Sequence, residues 1–485
     1  MSPPFLKAPL KSSGAFFVLK FVSSSFKNQT LNTMRKVLIV LLVLSPFFLF
    51  AQQSYNMSLL GKYTYDFEGY GVNDIWGYVD QEGNEYALVG LENGTSFVDV
   101  TNPANPIEKA YIPGPMSTWR DLKTWGEYAY IVHDSYYADS ELWPTGESQG
   151  LLIVNLKNIA SGDISYSSFY FDGQFTNAHN IYIDENGCVY LFGGNYATGG
   201  AVMFDVSEDP ENPQYLGVFD DYYLHDGMVR GDTLWGSAIY EGVVAAIDVS
   251  DKTAPVILGS TFTPGTFTHN SWVSDDGNYV FTTDEVTSGY IAAVDVSDVN
   301  NMSVIDQIQS WSPQDNVIPH NTHVKDNYLV TSYYCDGVTV VDASDPYNLQ
   351  EVAYYDTSDS TGGTFSGAWG AYPWLPSNNI LVTDRQEGLH ILSVDNIDFS
   401  VENLNAFLDV QIYPNPSADE FRIDLENVSW HSISVVDMNG RLLESHINEN
   451  RKTSILLGEN WLPGTYLVDI EDAMGLRISY KLIKE

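Results

Sequence analysis

Four histidines recur at similar intervals along this chain, and each is followed directly by an asparagine or an aspartate. They are His179, His225, His269 and His320, and the intervals are 46, 44 and 51 residues. His323 adds a fifth imidazole close to the last of them. Neutral imidazole is a good ligand for zinc, copper, iron or nickel, so a fold that gathers these rings would create a transition-metal site.

Other polar residues occupy matching positions before and after the histidines. Pairs at 73–74 and 120–121 precede the histidine pairs, and residues 366–368 take the corresponding place in the last copy. Around a shared pocket, the candidates for contacting a ligand are Asp74, Arg120, Asp121, Asn180, Asp226, Asn270 and Asn321. The aspartates among them can also orient metal-bound imidazoles by accepting the second ring N–H.

Three interpretations of the histidine pairs are open at this point. Each histidine can act as a tether that bonds an aspartate of a nearby turn or the backbone of the next repeat, because a buried polar group must be satisfied. The histidines can instead bind a metal ion, or form a polar pocket without metal. Repetition favours the tether, since architectural residues repeat with the fold.

Two tryptophans in irregular segments are further candidates. Trp143 lies in the longest insertion, at 131–149, and Trp374 lies in a segment rich in Trp and Pro at 368–376. Such side chains can stack on a sugar or peptide, although loop aromatics also pack locally. The motif H-E-x-x-H and a phosphate-binding glycine loop do not occur in the sequence.

A repeat positions all of these residues. A β-branched strand ending in Asp-Val-Ser, or a variant of it, recurs seven times, with the Asp or its equivalent at positions 99, 155, 205, 248, 295, 342 and 393. The Asp is expected to cap the turn after its strand rather than to bind calcium, because no D-x-D-x-D-G loop is present. Units of this length with four short strands predict an all-β, seven-bladed β-propeller, with six or eight blades as the alternatives. Residues 56–66 carry the strand that the last copy lacks, and we expect them to close the ring.

The V-D-V-S units and their flanking P-x-x-L-G strands resemble LVIVD-repeat propellers, and more narrowly the secreted choice-of-anchor B proteins of bacteria. The resemblance covers about residues 55–400. It implies the propeller architecture and no particular reaction.

The last 75 or so residues follow a different pattern. Short alternating strands are separated by Asn-Pro, Asn-Gly and Met-Gly turns, which predicts a small Ig-like β-sandwich. The elements YPNP at 413–416, NG at 439–440, GTY at 464–466 and KLIK at 481–484 resemble the type A C-terminal sorting domain of the type IX secretion system of Bacteroidota. The resemblance implies the type IX secretion machinery as a partner. An ordinary Ig-like accessory domain is the alternative.

The N-terminal region has the pattern of an export signal. Residues 34–51 combine a basic start, an apolar run and a small residue for cleavage, which predicts a signal peptide and export to the periplasm. Translation is expected to begin at Met34, so that residues 1–33 are an upstream extension. The predicted organisation is then the propeller at 52–400, a linker at 401–409 and the sorting domain at 410–485.

Composition narrows the function classes. The formal net charge is −41, with 63 acidic and 22 basic residues, which excludes a nucleic-acid-binding role that needs basic patches. Cys188 and Cys335 are expected to be unrelated thiols. The sequence therefore predicts a secreted or cell-surface propeller that acts as a ligand-binding or scaffold module for an extracellular glycan, peptide or protein. The alternative is a metalloenzyme with a transition metal at the propeller axis.

Overall fold

The computed structural model describes residues 54–66, 71–134, 150–171, 175–311, 316–395, 397, 410–425, 430–437, 441–448, 452–458, 460–472 and 477–484. The predicted signal peptide, the segment before it and the predicted linker lie outside these residues. Regular structure in the described part consists of β-strands and two 3-10 turns, at Ile159–Ser161 and Val299–Asn301. No helix there has the length and apolarity needed to cross a membrane.

Two short strands, β1 and β2, open the described chain, and seven four-stranded units follow one another as blades 1 to 7. The first strands are β1 (Ser54–Tyr55) and β2 (Met57–Tyr63). Blade 1 contains β3 (Val72–Val79), β4 (Glu85–Leu91), β5 (Gly94–Asp99) and β6 (Ile107–Pro113). Blade 2 contains β7 (Arg120–Trp125), β8 (Tyr128–His133), β9 (Leu151–Asn155) and β10 (Ser165–Phe169). Blade 3 contains β11 (Asn180–Ile183), β12 (Cys188–Phe192), β13 (Ala201–Asp205) and β14 (Gln214–Phe219). Blade 4 contains β15 (Asp226–Arg230), β16 (Thr233–Ala238), β17 (Val243–Asp248) and β18 (Val256–Phe262). Blade 5 contains β19 (Thr268–Val273), β20 (Tyr279–Asp284), β21 (Ile291–Asp295) and β22 (Ser303–Ile308). Blade 6 contains β23 (Thr322–Lys325), β24 (Tyr328–Ser332), β25 (Val338–Asp342) and β26 (Gln350–Tyr355). Blade 7 contains β27 (Ala368–Tyr372), β28 (Ile380–Asp384) and β29 (Gly388–Val394), with β2 as its fourth strand.

The blades form a closed ring. The first strand of each blade contacts the first strand of the next, from β3 and β7 round to β27, and β27 contacts β3 again. The seven first strands therefore surround a common axis, and the predicted seven-bladed propeller is confirmed.

The N-terminal strand closes the ring as the sequence predicts. Strand β2 pairs antiparallel with β29, so Met57 lies opposite Val394 and Tyr63 lies opposite Leu389. Strand β1 continues past this blade and adds a fifth strand to blade 6, where Ser54 lies opposite Tyr355. Pairing with β2 covers the outer edge of β29, which would otherwise be open to association with another chain.

The recurring Leu-Gly pair is explained by contact between neighbouring blades. In β2, β14 and β18 the leucine of the pair lies at a register shift, which marks a β-bulge. The glycine that follows packs on the turn of the next blade. A Cβ atom would lie 1.7 Å from the Pro103 carbonyl oxygen at Gly61, and 1.8 Å from those of Lys252 at Gly217 and Val299 at Gly259. No side chain fits at these three positions without moving the backbone.

The Asp of the repeat caps the turn after its strand, as predicted. The Oδ1 atom accepts a hydrogen bond from the backbone N–H two residues later at distances of 2.8–3.1 Å, with small variations between blades. The donors and acceptors are Thr101 to Asp99, Ser207 to Asp205, Ser250 to Asp248, Ser297 to Asp295 and Ser344 to Asp342. This local bond competes with strand continuation and turns the chain toward the outer strand.

The tail forms two packed sheets. The three-stranded sheet contains β30 (Gln411–Tyr413), β31 (Phe421–Asp424) and β34 (Ser454–Leu457), and the four-stranded sheet contains β32 (Trp430–Asp437), β33 (Leu442–Ile447), β35 (Gly464–Asp472) and β36 (Arg477–Lys484). A core of its own includes Phe421, Ile433 and Val468, all fully buried. Asn415 of the YPNP element holds the terminal strand, since it donates to the Lys481 carbonyl oxygen at 2.9 Å and accepts from the Ile483 N–H at 3.0 Å.

We predict that Gly259→Ala lowers the free energy of unfolding by about 1–3 kcal/mol, because the added methyl group overlaps the Val299 carbonyl oxygen. Ser260→Ala, at the exposed neighbour in the same strand, is the control. Urea denaturation measures both variants. Equal stability of the two would contradict the explanation given for the Leu-Gly pair.

A second prediction concerns pH. Glu351 is buried in β26 with one hydrogen bond, from the Trp311 N–H to Oε2 at 3.1 Å, and burial raises the pKa of its carboxyl to about 7. A raised folded-state pKa means that stability is lost as the pH rises toward 7, because the folded protein must then ionise a desolvated group. Glu351→Gln should therefore raise the unfolding free energy at pH 8, by at most roughly 3 kcal/mol, and change it little at pH 4.5. The exposed Glu82→Gln is the control, and a gain that does not depend on pH would refute the assignment.

Candidate functional site

A small pocket lies on the propeller axis, and all seven blades contribute to it. The space between its lining atoms, including the open entrance, amounts to about 260 Å³. Its lining consists of Asp74, Trp119, Arg120, Asp121, His179, Asn180, His225, His269, His320, Asn321 and Trp369. Each histidine lies at or just before the start of a first strand, which is why one short motif in successive blades converges on a single place.

The four predicted histidines are neighbours around the axis. Ring centroids are 4.1 Å apart between His179 and His225, 4.3 Å between His225 and His269, and 4.5 Å between His269 and His320. The series continues from His320 to the indole of Trp369, again at 4.5 Å. The sequence prediction that these four imidazoles come together is thus matched by the structure.

Each imidazole in the series is held through Nδ1. His225 Nδ1 contacts the His269 carbonyl oxygen at 3.3 Å, His269 Nδ1 that of His320 at 3.2 Å, and His320 Nδ1 that of Trp369 at 2.5 Å. The Nδ1 of His179 bonds the Asp134 carboxylate instead, at 3.1 Å. The sequence suggested two kinds of tether, to the backbone of the next repeat and to an aspartate of a nearby turn. The structure contains the first at His225, His269 and His320 and a bond to an aspartate at His179.

The same contacts fix the tautomer of the rings. A carbonyl oxygen can only accept, so Nδ1 of His225, His269 and His320 carries the hydrogen and Nε2 carries the lone pair in the neutral ring. Burial lowers the pKa of His269 to about 3, and burial together with the neighbouring histidines lowers those of His225 and His320 well below the usual range. The imidazoles are therefore neutral near pH 7, with Nε2 atoms available to bind a cation or accept a hydrogen bond.

A glutamate that the sequence did not reveal lies beside two of the histidines, although it does not itself line the pocket. Glu285 follows β20, and its Oε2 lies 3.6 Å from Nε2 of His269 while its Oε1 lies 4.0 Å from Nε2 of His320. The hydroxyl of the buried Tyr334 donates to Oε1 at 2.5 Å. Burial raises the pKa of the Glu285 carboxyl to about 7, although the Tyr334 hydrogen bond acts in the opposite direction.

The predicted aspartates have a different role from the one expected. Lys123 Nζ lies 2.6 Å from Asp121 Oδ1 and 3.6 Å from Asp74 Oδ2, in a buried cluster, and it also lies 4.5 Å from the centroid of Trp76. Burial raises the pKa of Asp74, and the charge of Asp121 raises it further. In the described structure the carboxylates of Asp74 and Asp121 contact Lys123 and, for Asp74, the Ile75 backbone rather than imidazoles, so the expectation that they orient the histidine rings is wrong.

A second polar chain links three blades beside the histidines. Asn270 donates to Asp226 Oδ2 at 2.9 Å, and its own Oδ1 accepts from the Thr322 N–H at 3.0 Å. Neither Asp226 nor Asn270 lines the pocket, although both were candidates for ligand contact. Arg120 does line it, yet its side chain donates to the carbonyl oxygens of Leu91 and Pro115.

Other candidates lie elsewhere. His323 and Trp374 do not line the pocket; they pack farther along the axis with Trp272, at centroid distances of 4.8 Å and 5.1 Å. Trp143 lies outside the described residues. In blade 7, Ala368 pairs with Asp384 in the same way that Thr268 pairs with Asp284 in blade 5. Trp369 and Gly370 are therefore the equivalents of His269 and Asn270. The expectation that residues 366–368 take this place was wrong.

Comparison with known proteins identifies the tail. Residues 411–485 match the family described as secretion system C-terminal sorting domain. The chain thus carries a type IX sorting signal, and its destination is the outer cell surface or the medium. The predicted secretion machinery partner is supported by the same match. Comparison with curated proteins returns no match.

Solved structures similar in fold include propellers with very different sequences. "YCF48 bound to D1 peptide" has a TM-score of 0.46 and 12% identity, covering 70% of this chain and 98% of that chain. The Cps50 (Swd1) β-propeller domain of Myceliophteria thermophila has a TM-score of 0.46 and 11% identity, covering 70% and 99%. A Lactobacillus plantarum protein solved in structural genomics has a TM-score of 0.46 and 12% identity, covering 84% and 100%. Such distant similarity carries no information about a ligand.

We predict that Asn270→Ala lowers the free energy of unfolding by about 1–3 kcal/mol, because it leaves the buried Asp226 carboxylate and the Thr322 N–H without their partner. Asn321→Ala is the matched control, since this asparagine occupies the equivalent place in the next blade and its buried Oδ1 has no hydrogen-bond partner in the described structure. Chemical denaturation should show the larger loss for Asn270→Ala. The reverse order would contradict the proposed link between blades.

Proposed function

We propose that this chain is an exported β-propeller that binds a small ligand in its axial pocket. Export begins with the signal peptide at 34–51, which directs the chain to the periplasm, and the sorting domain then takes it across the outer membrane. The propeller is the cargo that performs the extracellular task.

One observation supports the pocket as the binding site above all others. The Nδ1 tethers use one nitrogen of each imidazole, so the Nε2 lone pairs of His225, His269 and His320 take no part in joining the blades. An architectural histidine needs only one such bond. Buried acceptors that the fold itself does not require are groups that a ligand can satisfy.

The lining also supports a class of ligand. The pocket offers acceptors, including the Nε2 atoms and the Asn321 Oδ1 that has no hydrogen-bond partner in the described structure. A cation or a small molecule rich in N–H and O–H donors complements these groups, and the net charge of −41 favours cations over anions. The enclosed part of the pocket measures only about 10 Å³, which is room for one ion or a water-sized group, so a larger molecule can bind only at the open entrance.

Recognition of a glycan, peptide or protein by exposed loops is the competing function within the same class. Exposed aromatic side chains such as Tyr240 and Trp311 would carry that contact. The metalloenzyme alternative requires a bound metal ion first, and its structural basis is the cluster of Glu285, His269 and His320.

Thermal unfolding of the mature chain in the presence of small probes tests the proposal. The probes are divalent metal ions, polyamines, free amino acids and monosaccharides. We expect one class to raise Tm by about 2–5 °C at saturating concentration. Asn321→Leu, which keeps the side-chain size and removes the acceptor, should reduce that shift, whereas Tyr240→Ser on the surface should not.

An opposite pattern would refute the pocket as the binding site. In that pattern no small probe changes Tm, and a glycan or outer-membrane protein binds wild type and Asn321→Leu equally but binds Tyr240→Ser weakly. Binding would then belong to the exposed loops.

A further inference from the structure

We propose that His269, His320 and Glu285 bind one divalent transition-metal ion in the wall of the axial pocket, which His269 and His320 line and Glu285 does not. This inference rests on the proposed function, because it names the ligand class of the same pocket. It also selects two of the histidines and adds a carboxylate that lies outside the repeat motif.

The geometry of the three donors is that of a site that needs little movement to close. One ligand atom from each residue lies within 4.8 Å of the others, and the two Nε2-to-carboxylate distances are 3.6 Å and 4.0 Å. Ligand atoms at about 2.1 Å from a common ion are separated by roughly 3.0–3.4 Å in octahedral or tetrahedral geometry. The two imidazole–carboxylate contacts therefore have to shorten by at most about 1 Å, and the two imidazole nitrogens, which lie within 4.8 Å of each other, by at most about 1.8 Å.

The two Nε2 atoms and the Glu285 carboxylate are all hydrogen-bond acceptors, so a cation between them would stabilise the group. Nδ1 of both imidazoles is the donor to a carbonyl oxygen, so both Nε2 atoms are acceptors, and a carboxylate also only accepts. At 3.6 Å and 4.0 Å these groups are too far apart for direct hydrogen bonds. Lone pairs that face one another in a buried place are stabilised by a shared cation, and a metal ion or a proton on Glu285 can supply it.

The surroundings already provide what a metal site needs behind its ligands. The Nδ1 contacts to the main-chain oxygens of His320 and Trp369 fix the orientation of the two rings, and Tyr334 fixes Glu285 by donating to Oε1. Such outer partners set ligand basicity and direction in protein metal sites. Oε2 keeps its lone pairs directed toward His269.

The donor set indicates the class of ion. Two imidazoles and one carboxylate suit zinc, iron, copper, nickel or manganese, whereas calcium and magnesium prefer sites built from oxygen alone. Three protein ligands leave further coordination positions on the ion. A water molecule or a small substrate can occupy these positions.

Metal titration of the untagged chain, residues 52–485, tests the inference. After removal of metal with a chelator, Co²⁺ or Zn²⁺ is added and followed by calorimetry and, for Co²⁺, by visible absorption. We expect one equivalent to bind with micromolar or tighter affinity. Glu285→Gln should weaken binding by more than about 100-fold, while its apo form stays folded because the amide keeps the Tyr334 bond and can donate to His269 Nε2.

His446→Gln is the matched control, since His446 and Glu444 form another imidazole–carboxylate pair, at 3.1 Å in the tail, and we expect it to leave the affinity unchanged. The inference is overturned if wild type binds neither ion stoichiometrically, if Glu285→Gln binds as tightly as wild type, or if His446→Gln abolishes binding. Absence of metal binding would leave a proton as the shared cation, and the proposed function would then depend on the organic probes alone.

Discussion

The hydrogen bond from an axial imidazole to the main chain of the next blade is the constraint on which the centre of this propeller depends. It runs from His225 to His269, from His269 to His320 and from His320 to Trp369. Each bond both joins two blades and sets a tautomer. Because one nitrogen is used for construction, the other is free for chemistry, so the same residue serves the architecture and the pocket without conflict.

This arrangement requires that the ring of blades be closed and its register fixed. The first strands contact one another all the way round, and β2 completes blade 7 on the outside. The glycines at 61, 217 and 259 let outer strands approach the turns of the next blade at backbone distance. A displacement of one blade would move an imidazole away from the carbonyl oxygen it must reach, so packing at the rim and hydrogen bonding at the axis depend on each other.

The sequence predicts the features that recur in each repeat and misses the residues that occur in one blade only. Seven copies of one strand motif establish the blades, the capped turns and the four clustered histidines. Glu285 and Tyr334 belong to no repeated pattern, and only three-dimensional structure brings them to the axis. Trp369 was missed because blade 7 has Trp-Gly where blade 5 has His269-Asn270, so no polar pair marks the position, although both blades carry the same bulge. The aspartates were assigned to the imidazoles because nothing in a strand pattern indicates that Lys123 turns inward to meet them.

The closing strand has a consequence for the order of events during biosynthesis. Ser58 in β2 bonds Asp395 at 2.7 Å across 337 residues of sequence. A chain that leaves the ribosome N-terminus first cannot pair β2 until β29 has been made, and closing so long a loop is costly in entropy and slow. Blade 7 is therefore incomplete until nearly the whole propeller has been synthesised, so the ring cannot close on a partly made chain.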